Sequence, residues 1–203
     1  SVTHYNTWEE MGQGADIGTL AHTHRCLREL GLRPDQIRLV QNDTGICPNT
    51  GSASSSRSHH MAGWATKIAA DKLLDAMRKP DGSFRGYSEM LGEGIQTKYF
   101  GKYESPSDVE RIDKYTGHGF DSVGQNFILN LCEVEVDVKT GKTRVLRYRI
   151  ISDIGVVGNK LAVTGQALGG MSHCVGFALT ENYDDMKRHG TMAGAGIPAI
   201  NDI

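Results

Sequence analysis

Two stretches rich in small residues, each at the start of an expected helix, carry the clearest capacity for ligand chemistry in this chain. The first is Met11-Gly12-Gln13-Gly14-Ala15-Asp16-Ile17-Gly18. A glycine pair entering a helix points backbone N–H groups outward, and the helix dipole favours anionic oxygen or sulfur there. Gln13 adds an amide donor and an amide acceptor for the same ligand. The alternative is a plain structural turn, since glycine is first of all a source of backbone freedom. The spacing is not the dinucleotide fingerprint. Three residues separate Gly14 from Gly18, and no strong strand is expected ahead of the loop.

The second stretch is Pro48-Asn49-Thr50-Gly51-Ser52-Ala53-Ser54-Ser55-Ser56-Arg57-Ser58. Its small residues admit a ligand to the backbone, its hydroxyls add hydrogen bonds and Arg57 adds a cation, so phosphate is the natural guest. A flexible linker or an ordinary serine cap is the competing reading. A third candidate is Gln166 in Thr164-Gly165-Gln166-Ala167-Leu168-Gly169-Gly170. A polar side chain on a helix expected to be buried needs a partner, either a ligand or a neighbouring backbone group.

The histidines and cysteines are weaker candidates. Among His22, His24 and Cys26, only the i,i+4 pair His22 and Cys26 can converge on a helix. With no His-Glu-x-x-His and no CxxC, metal ligation by the protein is not expected. His59-His60 reads as partly solvated helix surface. Cys47 and Cys174 read as small buried packing residues rather than nucleophiles. No catalytic residue is assigned.

These groups need elements to position them. A helical stripe of Ile17, Leu20, Ala21, Leu27 and Leu30 predicts a helix from Asp16 to Leu30, ended by Gly31. Ile37 to Val40 predicts a short strand. Met61, Ala65, Ile68, Ala69, Leu73 and Met77 predict a second helix over Ser58 to Met77, before a turn at Lys79 to Gly82. Residues 83–122 are polar and broken by glycine. They read as a surface excursion with a short helix at Tyr87 to Leu91, and either strands around Thr97 to Tyr103 or a covering loop.

Phe127 to Val138 and Thr143 to Asp153 flank Lys139-Thr140-Gly141-Lys142 and predict a long antiparallel hairpin. Leu131, Glu133, Glu135 and Asp137 are expected on one face, with Leu129, Cys132, Val134, Val136 and Val138 mostly on the other. Asn159 to Leu179 predicts a third helix, in which Gly165, Gly169, Gly170 and Gly176 admit another backbone closely. Strands and helices segregate, so the expected class is α+β, an antiparallel hairpin-rich sheet packed with helices.

The chain has 203 residues and a formal net charge of -2, with lysine and arginine scattered rather than blocked. That gives no footprint for nucleic acid or an anionic membrane surface. No stretch has the length of a membrane span and no signal peptide is recognisable. Four widely spaced cysteines read as reduced thiols in a cytoplasmic protein. The polar opening phrase and the glycine-rich close at Gly194 to Ile203 are what an excised piece would show.

In order and separation these motifs resemble the molybdopterin-binding part of the molybdenum hydroxylases, the xanthine dehydrogenase and aldehyde oxidoreductase family. The resemblance rests on Glu10-Met11-Gly12-Gln13-Gly14, on Pro48 to Ser58, and on Glu133 to Asp137 followed by Asp153-Ile154-Gly155 and Asn159. Gly165-Gln166 completes it. It covers essentially the whole chain. The phrases at Tyr5 to Glu10, Gly14 to Gly18 and Ser56-Arg57 are most similar to the bacterial aldehyde oxidoreductase branch.

The resemblance implies that residues 1–203 are a fragment of the molybdopterin-binding domain. Gly12, Gln13 and Gly14 would lie against the metal's ligand sphere and the pterin. Ser54, Ser55, Ser56, Arg57 and Ser58 would hold the cofactor's phosphate or nucleotide tail, and Gln166 the pterin. The implied cofactor is molybdenum with molybdopterin, in one form as the cytosine dinucleotide. The implied reaction is oxidation of an aldehyde or hydroxylation of an N-heterocycle such as a purine, with water as oxygen source. Implied partners are the remainder of the large subunit, an iron-sulfur domain or subunit and an FAD subunit.

The chain departs from the family pattern in two places. It carries His173-Cys174 where the family has a glutamine-glycine pair, and it contains no glycine-rich motif with the family's catalytic glutamate. The upstream phenylalanine-glycine segment with its arginine is absent too. The chain alone is therefore expected to be inactive and empty of cofactor. Two rival readings stand beside this one: a stand-alone binding or scaffold domain with the fold but no cofactor, and an oxidoreductase using a dinucleotide.

Overall fold

The structure, a computed structural model, describes residues 1–54, 57–105, 112–119, 126–185 and 187–198. The chain forms two compact units, Ser1–Val123 and Gly124–Ile203. Helices and strands are mixed as the α+β expectation requires, in two separate two-stranded sheets.

In the first unit β1 (Val2–Asn6) lies parallel to β2 (Ile37–Gln41), from Val2 opposite Ile37 to Asn6 opposite Gln41. Between them run α1 (Ala15–Cys26) and two 3-10 turns, Arg28–Leu30 and Pro34–Gln36. A strand therefore does precede the Gly12 loop, against expectation. Its more buried residues include His4 and Asn6, so the apolar alternation that marks a half-buried strand is missing from the sequence.

The second helix begins with a π-helical turn, Ser58–Ala62, and continues as α2 (Gly63–Met77). Its ends match the expected range, but both buried stripes are offset from the expected ones. On α1 the buried line is Ala15, Thr19, Thr23 and then Leu27, while Ile17 is 59% exposed. On α2 it is Gly63, Thr66, Ala70 and Leu74, and the expected line is only partly buried. Small and hydroxylated residues fill these faces, and the Thr23 and Thr66 hydroxyls find partners inside. Thr23 Oγ1 donates to the Thr19 carbonyl (2.8 Å) and Thr66 Oγ1 to the Ala62 carbonyl (2.7 Å). His4 places Nδ1 2.8 Å from Thr23 Oγ1 and Nε2 3.5 Å from Thr66 Oγ1. The apolar core lies at one end, where Leu27, Ala70 and Leu74 pack with Val2, Leu30, Leu73 and Phe84.

The excursion carries α3 (Tyr87–Gly92), and residues 95–105 form no strand. They form the covering segment instead. A Cβ on Gly101 would stand 1.9 Å from the Ala65 carbonyl oxygen, so only glycine allows this contact with the α2 backbone. Tyr103 then stacks on Trp64 with ring centroids 5.9 Å apart. Residues 106–111 and 120–122 of the excursion lie outside the described residues.

The second unit is the hairpin β3 (Phe127–Val136) and β4 (Thr143–Asp153), paired from Phe127 opposite Asp153 to Val136 opposite Thr143. The turn closes as expected around Gly141 (φ +73), with Asp137 Oδ1 accepting from Lys139 N. A bulge follows Glu133, because Glu133 faces Arg147 while Val134 faces Val145. Strand alternation places Leu129 with Leu131, Glu133 and Glu135, not with Cys132 as expected. On that face Glu135 pairs with Arg144 at 2.9 Å.

α4 (Lys160–Leu179) starts at Asn159, whose Oδ1 accepts from Ala162 N at 3.1 Å. The expectation of a buried helix fails within the described residues, since only Gly176 of α4 is buried. Nothing stands within 4 Å of a Cβ at Gly165, Gly169 or Gly170, whereas Gly176 meets the Pro198 ring. Among the described residues no helix is long and apolar enough to cross a membrane.

Candidate functional site

The first loop is built around a carboxylate that the glycine motif alone does not reveal. Gly12 (φ +96) and Gly14 (φ +84) take left-handed conformations that turn the chain into α1. Their N–H groups do not point free into solvent, as the sequence suggests. Glu10 Oε1 accepts from Gly12 N (2.7 Å) and Gly14 N (3.0 Å), and Glu10 Oε2 from Asp16 N (3.0 Å). The backbone N–H groups of Asp16, Gly14, Gly12 and Ala15 hold its carboxyl below the usual range. A local side chain reaches the helix start without ordering a second molecule, which is why it takes these donors.

Gln13 is also engaged within the loop. Its Nε2 donates to the Glu9 carbonyl and its Oε1 accepts from Met11 N, both at 2.6 Å. One amide N–H and one carbonyl lone pair remain for another partner. The face above Gly12 is open, with nothing within 4 Å of a built Cβ.

The second loop lies against the first. Glu9 Oε2 accepts from Ala53 N at 3.2 Å. The Thr7 and Thr50 hydroxyls meet at 2.7 Å, Thr7 Oγ1 donates to the Pro48 carbonyl (2.8 Å), and Thr50 N donates back to Thr7 Oγ1 (3.1 Å). Asn49 Oδ1 accepts from Gly51 N and turns the chain there. Arg57 folds over this turn, its Nη2 donating to the Thr50 carbonyl at 3.2 Å. The Ser54 carbonyl accepts from Arg57 N, and Ser58 opens the π-helical turn. Arg57, at the start of that helix, makes no side-chain cap. Ser55 and Ser56 lie outside the described residues.

Below the loops the first unit holds a histidine and aromatic cluster. Trp8 meets His59 edge-on with centroids 5.6 Å apart, and His59 meets His22 at 6.2 Å. His22 Nε2 lies 2.9 Å from the Gly63 carbonyl, which ties α1 to the start of α2, and 3.6 Å from Cys26 Sγ, the one convergence expected from spacing. Burial and the neighbouring His22 push His4 down to about 4, and desolvation with His22 and His60 lowers His59. Burial pushes the Cys26 thiol up. These settings favour neutral, unreactive side chains, and among the described residues no group of His, Cys, Asp or Glu is arranged to hold a metal.

Gln166 belongs to the second unit. It is exposed on α4 rather than buried, and its amide makes no hydrogen bond to a described residue. Cys174 is likewise exposed rather than a buried packing residue, while Cys47 is half-buried with its thiol 3.2 Å from the Val40 carbonyl. The structure thus brings Gly12, Gln13 and Gly14 beside the loop that carries Ser54, Arg57 and Ser58. Sequence reasoning missed Glu9, Thr7 and Thr50, which join the loops, and the part Glu10 plays within the first loop. An acidic residue just ahead of a helix start was a usable signal for Glu10.

The molybdopterin cofactor-binding domain family matches residues 1–203. The aldehyde oxidoreductase of Megalodesulfovibrio gigas is 37% identical over 203 residues, 100% of this chain and 22% of that protein. The crystal structure of the aldehyde oxidoreductase from Desulfovibrio desulfuricans superposes with a TM-score of 0.91 and 44% identity, over 99% of this chain and 22% of that one. Mouse xanthine dehydrogenase/oxidase is 25% identical over 186 residues, 89% of this chain and 13% of that protein. The chain therefore spans about a fifth of the length of its first relatives. It belongs to the molybdopterin cofactor-binding domain family, in the lineage of the aldehyde oxidoreductases and xanthine dehydrogenases.

Proposed function

We propose that this chain supplies two of the loops that hold molybdenum with molybdopterin in an oxidoreductase acting on aldehydes or N-heterocycles. The carrying observation is that the Gly12–Gly14 loop and the Pro48–Ser58 loop are joined side by side, through Glu9 to Ala53 and Thr7 to Thr50. The residues fit such a group. Gly12 offers an open backbone face, Gln13 keeps one donor and one acceptor, and Arg57 with Ser54 and Ser58 offers a cation and hydroxyls at a helix start.

In this reading Gly12, Gln13 and Gly14 lie along the pterin and the metal's ligands. Ser54 to Ser58 hold the phosphate or, in the cytosine dinucleotide form, the nucleotide tail. Gln166 is assigned a hydrogen bond to the heterocycle. When bound, the cofactor supplies two-electron oxidation with water as oxygen source. The work of this chain is to bind and orient it. Proton abstraction falls to a residue elsewhere in the parent subunit.

The partners in this proposal are the remainder of the large subunit, an iron-sulfur domain or subunit and an FAD subunit. The substrate is a small aldehyde or heterocycle. Four free cysteines fit a reducing, cytoplasmic setting. The test uses the full-length protein that carries this chain, with molybdenum and pterin measured per polypeptide. Arg57→Ala and Gly12→Ala are expected to lower both by at least tenfold. Full cofactor content in both variants would leave a scaffold with the fold but no cofactor role, and a nicotinamide or flavin bound at Gly12 would favour dinucleotide chemistry.

A further inference from the structure

We propose that Glu10 is a positioning residue for the first cofactor loop: its carboxylate shapes Gly12–Gly14 and withdraws the α1 helix start from the groups that hold the cofactor's anionic parts. The inference deepens the cofactor reading above and rests on it. Three facts carry it. The carboxylate gathers the N–H groups of Gly12, Gly14 and Asp16, so the chain turns around its own anion through both left-handed glycines. Next, Gln13 is held from both ends, by Glu9 and Met11, inside the turn that Glu10 closes. Finally, the two loops end up with different electrostatics. A helix start carries roughly half a positive charge, and a full carboxylate seated on it leaves a local excess of negative charge.

An anionic phosphate is disfavoured at that position and a neutral, hydrogen-bonding edge is not. Among the described residues the second loop has no carboxylate in the first turn of its helix, and Arg57 stands over its turn. Glu9 does approach it, but at Ala53 N, ahead of the serines. The division of labour follows: the loop at Gly12 takes the uncharged heterocyclic edge, and the loop at Ser54 to Ser58 takes the phosphate. The lowered carboxyl pKa of Glu10 accords with a carboxylate that stays ionised.

The test uses the full-length protein with Glu10→Ala and, as a near-isosteric second variant, Glu10→Gln. Two quantities are read: molybdenum and pterin per polypeptide, and the melting temperature of the cofactor-free form. Both variants are expected to lose at least tenfold in cofactor content, with only a small drop in melting temperature. In Glu10→Ala, formate present during cofactor loading is expected to restore part of the content saturably, because a small carboxylate can occupy the vacated N–H groups. Formamide, of similar size but uncharged, is expected not to.

Unchanged cofactor content in both variants overturns the proposal. So does tighter retention, which would make Glu10 a competitor of the cofactor rather than its support. Loss matched by a collapse of the cofactor-free fold in both variants overturns it as well, since Glu10 would then be a general fold residue. The underlying cofactor reading fails separately, when Arg57→Ala and Gly12→Ala also leave content unchanged.

Discussion

Thr19 and Thr23 sit one turn apart on α1, both buried, and the same substitution at each is expected to change stability in opposite directions. Thr19 is 0% exposed and its hydroxyl has no partner among the described residues. Thr23 is 3% exposed, and its hydroxyl bonds the Thr19 carbonyl and His4 Nδ1, each at 2.8 Å. Threonine and valine have similar helix propensities and shapes, so the exchange mainly tests the hydroxyl. A buried hydroxyl without a partner costs about 1–3 kcal/mol, so Thr19→Val is expected to stabilise the first unit by about 1 kcal/mol. Thr23→Val removes both hydrogen bonds and strands His4 Nδ1, for a loss of about 2 kcal/mol. The gap of about 3 kcal/mol is roughly a 100-fold difference in unfolding equilibrium. Urea denaturation followed by tryptophan fluorescence reads this unit alone, because the chain's two tryptophans, Trp8 and Trp64, both lie in it. Equal destabilisation by the two variants would refute the reasoning, since packing rather than the hydroxyl would then decide.

His4 predicts a pH effect on the same unit. Its folded pKa of about 4 lies below the unfolded 6.5, so the unfolded chain binds the proton first as pH falls. The stability His4 allows is complete above 6.5 and lost between 6.5 and 4, by about 3 kcal/mol over that 2.5-unit span. His4→Gln should remove this slope in denaturation curves taken from pH 7 to 4. Glu10, with its lowered carboxyl pKa, acts in the same direction at lower pH, so a slope confined below about pH 4.5 would point to it instead. Gly101→Ala puts a methyl into the Ala65 carbonyl and is expected to release the 95–105 segment from α2. Faster proteolysis there, with the Trp64 environment changed by loss of the Tyr103 stack, would show it. The isolated chain exposes Phe127, Ile128, Leu129, Leu131 and Ile151 on the hairpin and Leu161, Leu168 and Phe177 on α4. Light scattering should therefore find self-association rising with concentration, and a clean monomer would argue against it.

The parts of the fold legible in the sequence are those whose signal is local. The hairpin, with β-rich runs on both sides of Lys139 to Lys142, and α4 with its Asn159 cap were readable because propensity, turn chemistry and length agree there. The buried faces of α1 and α2 were not, because their interiors are threonine, glycine and alanine rather than an apolar stripe, and a partner of Thr23, His4, is distant in sequence. The α4 burial was misjudged for a different reason. An apolar helix reads as buried, but what covers it need not lie within its own unit. At the site, the glycine and serine loops were visible as compositions. Their mutual contact was not, since Thr7 and Thr50 are 43 positions apart and each is an ordinary residue by itself.

The polar centre of the first unit also explains how β1 places the site. Side chains on a strand alternate in direction, so a slip of one residue would swing His4 away and bring Thr3 or Tyr5 against Thr23 and Thr66. A purely apolar strand could tolerate such a slip at modest cost. Here it would break the contacts of His4 Nδ1 and Nε2 and leave two threonine hydroxyls short of a partner. His4 therefore fixes the register of β1. The strand runs directly into Asn6, whose Oδ1 holds Trp8 N at 2.8 Å, and thence into Glu9 and Glu10. A one-residue error at His4 would shift both carboxylates by one position, away from Ala53 and from the Gly12–Gly14 turn. Unpaired apolar substitutes at His4 should thus disturb the two loops before they unfold the unit, visible as faster amide exchange at Gly12, Gly14 and Ala53 than at the centre of α2.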